Sequence, residues 1–370
     1  MRIRRLLQVV LAALLMGISG IGRGEVAPKA DPQFEVVASL ILPDKDRFSG
    51  NHAFRSAVIK FPWVYVLDRE GSLYVFRIPE GALPLETEAT TVVKDVGDGN
   101  DLKVIDQTLL CTRNGSLDAY SLKVPENPKH LGQVGPADKK AYPSQTLVCD
   151  GKRAFLVGRD AILAYDLSAP AQPKNLSVLK TDRYGWTGCA ADRYLYVAEI
   201  NVERGGREGI AVYDVADPRD IKEVGFTPTR RATYHLFSLP GNRLLASQDG
   251  DSLFHVAWGN TVYGNSALFS LAKPTQPALL KEFANSGGRT AALLSMENQQ
   301  FLVCDGALFA IGAEDLKKCF SFSSDGSTLD GVPYHGDSSG SYASLAMDNR
   351  AVVVRRLRAD PAPRDTLPPK

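Results

Sequence analysis

An aromatic residue inside or closing a short apolar run recurs six times along this chain, and no other feature restricts its fold as much. The runs are LYVFRI with Phe76, LDAYSL with Tyr120, LAYDL with Tyr165, AVYDV with Tyr213, ALFSL with Phe269 and ALFAI with Phe309. Successive aromatics lie 44, 45, 48, 56 and 40 residues apart. A proline follows at plus five in four cases (Pro125, Pro170, Pro218, Pro274) and at plus eight in four (Pro84, Pro128, Pro173, Pro277). A period in the forties marks a stacked or radial repeat, whose units bury their apolar faces only against their neighbours.

Each unit divides into four short runs bounded by turn residues. The third reads SQTLVCD, RAFLVG, ILAYDL and KNLSVL, separated by GK, RDA and SAPAQP. Runs this short, rich in Val, Leu, Ile and aromatics, predict strands. Four strands in about 45 residues make a propeller blade, and the prolines fall between the third and fourth strands, where no ladder N–H is needed. The sequence predicts an all-β propeller, with units at 50–93, 95–140, 143–181, 184–229, 231–286 and 288–323. FEVVASLIL, Phe34 to Leu42, reads as an outer fourth strand with no blade before it. YASLAMDNRAVVVRRLR, Tyr342 to Arg358, supplies two strands in the style of the first two of a blade. Joining the chain ends in one blade gives seven blades and removes two sheet edges. Six blades with an irregular cap is the alternative.

The segments LAYDLSAPAQPKNLSVL, AVYDVADPRDIKEVGF and LFSLAKPTQPALLKEF resemble the LVIVD repeat family of bacterial and archaeal extracytoplasmic propellers. The resemblance spans residues 34 to 357 and is strongest in units three to five. Ser121, Ser270, Arg77 and Ala310 stand where Asp166 and Asp214 carry the motif's aspartate, so that aspartate reads as a strand-end feature rather than a reactive group.

Residues 1–24 have another character. Arg2, Arg4 and Arg5 precede an apolar stretch from Leu6 to Ile18 and then small residues, which is the pattern of a secretory signal with cleavage near Gly20 to Gly24. The stretch is shorter than the ~20 residues of a spanning helix. A linker over 25–33, the propeller over 34–358 and a proline-rich, disordered tail over 359–370 complete the expected organisation. The expected location is periplasmic or secreted, with no membrane insertion after cleavage. Lys and Arg number 43 against 42 Asp and Glu, a balance that argues against a nucleic-acid binder. A monomer is expected.

Five cysteines at 111, 149, 189, 304 and 319 form no CxxC pair and read as small apolar strand residues. GDSSG at 336–340 lacks the context of a protease loop, and DVGDGND at 95–101 lacks the terminal Glu of a calcium loop and reads as an Asx- and Gly-rich turn. No phosphate-binding or dinucleotide fingerprint is present, so no cofactor is expected.

Chemistry is expected in the loops entering the first strands, which ring the channel mouth. They supply His52, Arg55, Trp186, Arg231, Tyr234, His235, Arg289, Tyr334, His335 and Asp337. Charge-assisted donors and flat rings in such a circle suit a small polar or anionic ligand. The long interval before Phe269 adds a loop with Phe254, His255, Trp258 and Tyr263, a lid or a partner contact. The expectation is a binding or interaction module for an unknown protein or ligand. The alternative is a hydrolase or lyase using His52, His235 and His335 as acid/base groups or metal ligands.

Overall fold

The apolar runs of the repeat form strands, and in the computed structural model of the protein seven four-stranded antiparallel blades stand in a ring. The structure describes residues 34–41, 54–68, 70–78, 85–96, 100–113, 115–136, 144–200, 207–248, 265–283, 290–304, 307–312, 316–321, 335–347 and 350–357. The segments expected as signal, linker and tail, and the segment holding Phe254, His255, Trp258 and Tyr263, lie outside them.

Blades are numbered by their innermost strands: Phe54–Lys60 in blade 1, Leu102–Ile105 in blade 2, Ser144–Asp150 in blade 3 and Tyr184–Ala191 in blade 4. Thr233–Leu239, Thr290–Met296 and His335–Ser339 begin blades 5, 6 and 7. Every inner strand touches the next, and that of blade 7 touches that of blade 1, so the ring is closed. Blade 7 has the order His335–Ser339, Tyr342–Ala346, Arg350–Arg356, Phe34–Ile41, so the N-terminal strand is its outer strand, as expected. One expectation is corrected: Tyr342–Ala346 and Arg350–Arg356 are the second and third strands, not the first and second. The true first strand, HGDSS, has no apolar run because its side chains bond into the seams on either side. Asp337 Oδ2 accepts from the Ile59 amide at 3.2 Å, and Ser338 Oγ accepts from the Ser295 amide at 2.8 Å.

The core lies between blades rather than within them. Side chains alternate across each strand, so Leu156 and Leu163 of blade 3 pack on blade 2 while Phe155 and Val157 pack on blade 4. Seven such clusters fill the seven seams. Five of the six aromatics of the repeat, Phe76, Tyr120, Tyr165, Tyr213 and Phe269, are buried there, and Phe309 is half-buried against the seam of blades 5 and 6.

The plus-five prolines also have a local cause. Asn127, Gln172, Asp220 and Gln276 each donate a backbone bond to the carbonyl three residues earlier, which puts Pro125, Pro170, Pro218 and Pro274 at the second position of a four-residue turn. The fixed φ of proline suits that position. The motif aspartates open these turns: Asp166 Oδ1 accepts from the Ser168 amide at 2.8 Å, and Asp214 Oδ1 from the Ala216 amide at 3.0 Å. Ser121 and Ser270 do the same with hydroxyls, which accounts for their standing in for aspartate. The turns then brace the preceding blade. Ser177 Oγ donates to the Pro218 carbonyl at 2.6 Å and Thr227 Oγ1 to the Pro277 carbonyl at 3.0 Å.

At Gly225 the bracing leaves no room for a side chain, since a Cβ there would lie 1.9 Å from the Thr275 carbonyl oxygen. Gly225→Ala is therefore expected to lower the unfolding free energy by about 1–3 kcal/mol in urea titrations. Val224→Ala, at the exposed neighbouring position, should change it by less than about 0.5 kcal/mol.

Candidate functional site

The inner strands of five blades carry a bulge at one register position. Pairing with the second strand skips a residue between Phe54 and Ser56, Ser144 and Thr146, Gly185 and Thr187, Thr233 and His235, and Thr290 and Ala292. A bulge bends the strand and re-aims the residues beside it. The skipped residues include Arg55, Trp186 and Tyr234, three of the residues expected at the mouth. They lie on the inner strands, not in the loops before them. Just below comes a layer of matched positions: Ser56, Thr146, Thr187, His235 and Ala292, with Asp101 and His335 in the corresponding places of blades 2 and 7. Six of these seven are polar.

This layer surrounds a cavity of about 640 Å³ to which every blade contributes. Blades 1, 2 and 7 present Arg55, Asn100, Asp101, Lys103 and His335; blades 4 and 5, across the ring, present Trp186, His235 and Phe237. One wall is charged and the facing wall is lined with flat rings. Trp186 lies near-parallel to Tyr184 with centroids 5.8 Å apart and meets the edge of Tyr234 at 5.7 Å. His235 lies parallel to Phe237 at 6.2 Å.

The Asp101 carboxylate is the centre of the charged wall. Its Oδ1 accepts from the Leu102 amide at 2.8 Å and from Ser56 Oγ at 3.3 Å, and pairs with His335 Nε2 at 2.9 Å. Its Oδ2 accepts from the Leu147 amide at 2.9 Å and Thr146 Oγ1 at 3.2 Å. One buried group thus links blades 7, 1, 2 and 3. Burial by itself raises the Asp101 pKa, but His335, Lys103 and the hydrogen bonds outweigh it and hold the carboxyl well below the usual carboxylate range. Desolvation works against the Lys103 ammonium, yet Asp101 and Asp337 keep its pKa above the ordinary lysine value. Lys103 is a cation lining the cavity.

Ser56, His335 and Asp101 have the residue types of a hydrolytic triad without its geometry. Ser56 is fully buried, and its Oγ also accepts from the Leu102 amide at 3.1 Å. His335 has both ring nitrogens engaged, Nε2 by Asp101 and Nδ1 by Ser56 Oγ at 3.1 Å and the Ala57 carbonyl at 3.3 Å. An exposed nucleophile with a poised base is missing from this arrangement. Among the described residues no group of three or more His, Cys, Asp and Glu is placed to hold a metal. Cys149 and Cys189 also line the cavity, but burial pushes the Cys149 thiol up to about 12 and raises that of Cys189 as well, so both stay protonated.

Of the residues read from the sequence, Arg55, Trp186, His235 and His335 line the cavity, and Tyr234 supports Trp186 at its rim. Arg231 sits on the turn into blade 5, where its carbonyl accepts from Thr229 Oγ1 at 2.8 Å. Asp337 lies on an inner strand and serves the seam with blade 1. His52, Arg289 and Tyr334 fall outside the described residues, and of the three histidines His235 and His335 both line the cavity. Sequence reading missed Lys103 and Phe237 and placed Asp101 at the mouth, in the turn before the first strand of blade 2. Aligning the units one residue ahead of each inner apolar run (SAVI, DLKV, TLVC, TGCA, HLFS) would have shown the odd aspartate and lysine.

No family model and no curated protein matches the chain. Among solved structures it is similar to the Pan2 WD40 domain of Neurospora crassa, with a TM-score of 0.61 at 11% identity over 90% of this chain and 97% of that one. It is similar also to the N-terminal domain of Nup159, with a TM-score of 0.59 at 11% identity over 88% and 95%. A third is a chain in a complex of S. cerevisiae Dbp5 with Nup159 and Gle1, with a TM-score of 0.59 at 11% identity over 89% and 96%. These likenesses show the β-propeller fold.

Removing the Asp101 charge strands its partners, so Asp101→Asn is expected to cost about 3–5 kcal/mol at pH 7. Because the folded-state pKa is depressed, the contribution is whole above the unfolded carboxylate pKa of about 3.9 and declines as pH falls below it. Urea midpoints at pH 7, 4 and 3 should accordingly fall less steeply below pH 4 in Asp101→Asn than in the parent protein.

Proposed function

We propose that the protein is an exported, extracytoplasmic β-propeller of the bacterial cell envelope that works as a binding module. It engages a protein partner or a small polar or anionic ligand on the channel-mouth face. The observation that carries this reading is the cavity itself: seven rigid blades converge on polar and aromatic side chains that can contact a guest, while the imidazole and hydroxyl beside them are taken up in holding the ring. Rigid scaffolds with a concave, mostly apolar cavity and a few placed polar groups are the usual form of a binding site.

Two further observations support the reading. The Arg-led apolar segment at residues 1–24 has the pattern of an export signal, and the proline-turn segments resemble the LVIVD repeats of extracytoplasmic propellers. Among the propellers with the same fold, Nup159 has been captured with Dbp5 bound to it. That neighbour illustrates a propeller used as a protein platform and assigns no partner to this chain.

Expression of the full chain in a Gram-negative host should give a periplasmic protein whose first residue, by N-terminal sequencing, lies at or just after residues 20–24. A photo-crosslinking amino acid at Arg55 or Trp186 should capture a specific guest, protein or small molecule by mass spectrometry. The same probe at Leu131, exposed on the outer strand of blade 2, should not. Cytoplasmic retention with an intact N-terminus, or equal capture at all three positions, would overturn the reading.

A further inference from the structure

We infer that the channel cavity is a site for a small organic acid, whose oxyanion sits on Lys103 and whose flat body lies against the ring-lined wall of blades 4 and 5. This rests on the binding-module reading and names the chemistry of its guest.

Asp101 is a carboxylate in the same wall, and an anion beside Lys103 would ordinarily repel an acid. Asp101 already accepts from five donors within the protein, His335 Nε2 among them. Its acceptor sites are therefore taken up, and its field, with that of Asp337, holds Lys103 in the charged form. Lys103 is in a different condition. It lines the cavity, its interactions with Asp101, Asp337 and Cys149 are electrostatic, and among the described residues its ammonium makes no hydrogen bond. An ammonium has three donors to satisfy, and inside a protein those donors pair with an anion or with water. Arg55 adds a second cation to the same wall.

The body of the guest follows from the far side. Blades 4 and 5 stand opposite blade 1 in a seven-membered ring, and there Trp186, His235 and Phe237 border the cavity. The volume of about 640 Å³ is within the range of sites for small molecules. Gly188 and Gly336 border the cavity without side chains, and neither has room for one against the packed blades: a Cβ on Gly188 would come within 2.9 Å of the Tyr196 carbonyl, and one on Gly336 within 2.5 Å of Leu345. A flat body with an acid at one end is the shape and charge that meets both walls.

The probes are indole-3-acetate and phenyl phosphate, as aromatic acids of two oxyanion types, glucuronate as an acid on a sugar ring, and indole-3-acetamide as the neutral control. Isothermal titration of the signal-free protein is expected to show indole-3-acetate binding at least tenfold tighter than its amide. In Lys103→Met that preference should collapse while amide binding persists, and Phe237→Ala should weaken acid and amide by the same factor. Phenyl phosphate binding alongside indole-3-acetate, or glucuronate binding above either, would support the site and assign the guest to aromatic or sugar acids. Equal binding of acid and amide, no binding of any acid, or an undiminished preference in Lys103→Met would overturn the inference. If Lys103→Met does not fold, the acid-against-amide comparison in the parent protein decides alone. Specific protein capture at Arg55 with no acid binding would leave the binding module standing and remove only this site.

Discussion

A propeller's ladders end at the borders of its blades, so the ring must be held by side chains and loops. That constraint explains where this chain places its polar groups. Asp101 is buried because it gathers the inner strands of four blades at one point, where the radius is smallest and the strands lie closest. Farther out, the proline turns lean on the preceding blade through Ser177 and Thr227, and the apolar clusters fill what lies between. The seams thus combine polar clasps near the axis, apolar middles and, at blades 3 to 5, turns at the rim.

The same constraint separates what the sequence shows from what it hides. The middle two strands of a blade are buried almost end to end, and their period and the prolines that follow them were legible, down to the share of the last blade taken by Phe34–Ile41. Inner strands carry the polar residues that the ring and the channel require. HGDSS therefore passed for a loop, and the strands after it were numbered one place too early. His335 and His235 were found because histidine is scarce in this chain. Lys103 was not, because one lysine among forty-three cationic residues carries no signal until its strand is set beside the other six. The aspartate of the repeat was rightly set aside, since serine fills its place wherever only an amide needs accepting.

Within the channel the two walls differ in kind. Blades 1, 2 and 7 carry charge, part of which clasps the ring, and blades 4 and 5 carry flat rings. Fixing Asp101 and His335 in a hydrogen-bonded lattice keeps that wall organised before anything enters, which lowers the cost of binding. Raised thiol pKa values at Cys149 and Cys189 leave that wall chemically quiet.

The strand Phe34–Ile41 has one further consequence. It is gripped from both sides, antiparallel by Arg350–Arg356 and parallel by Leu85–Thr87, the latter reaching over from the connection of blade 1. Pairing Phe34 with Arg356 spans nearly the whole described chain. The loop it closes is the longest in the fold, so this contact comes late and slowly when the chain collapses. Until it forms, the first blade and the sixth each show a bare face to water. The molecule therefore has a single latch, made jointly by two distant pieces of chain, and loosening either piece uncovers both faces at once.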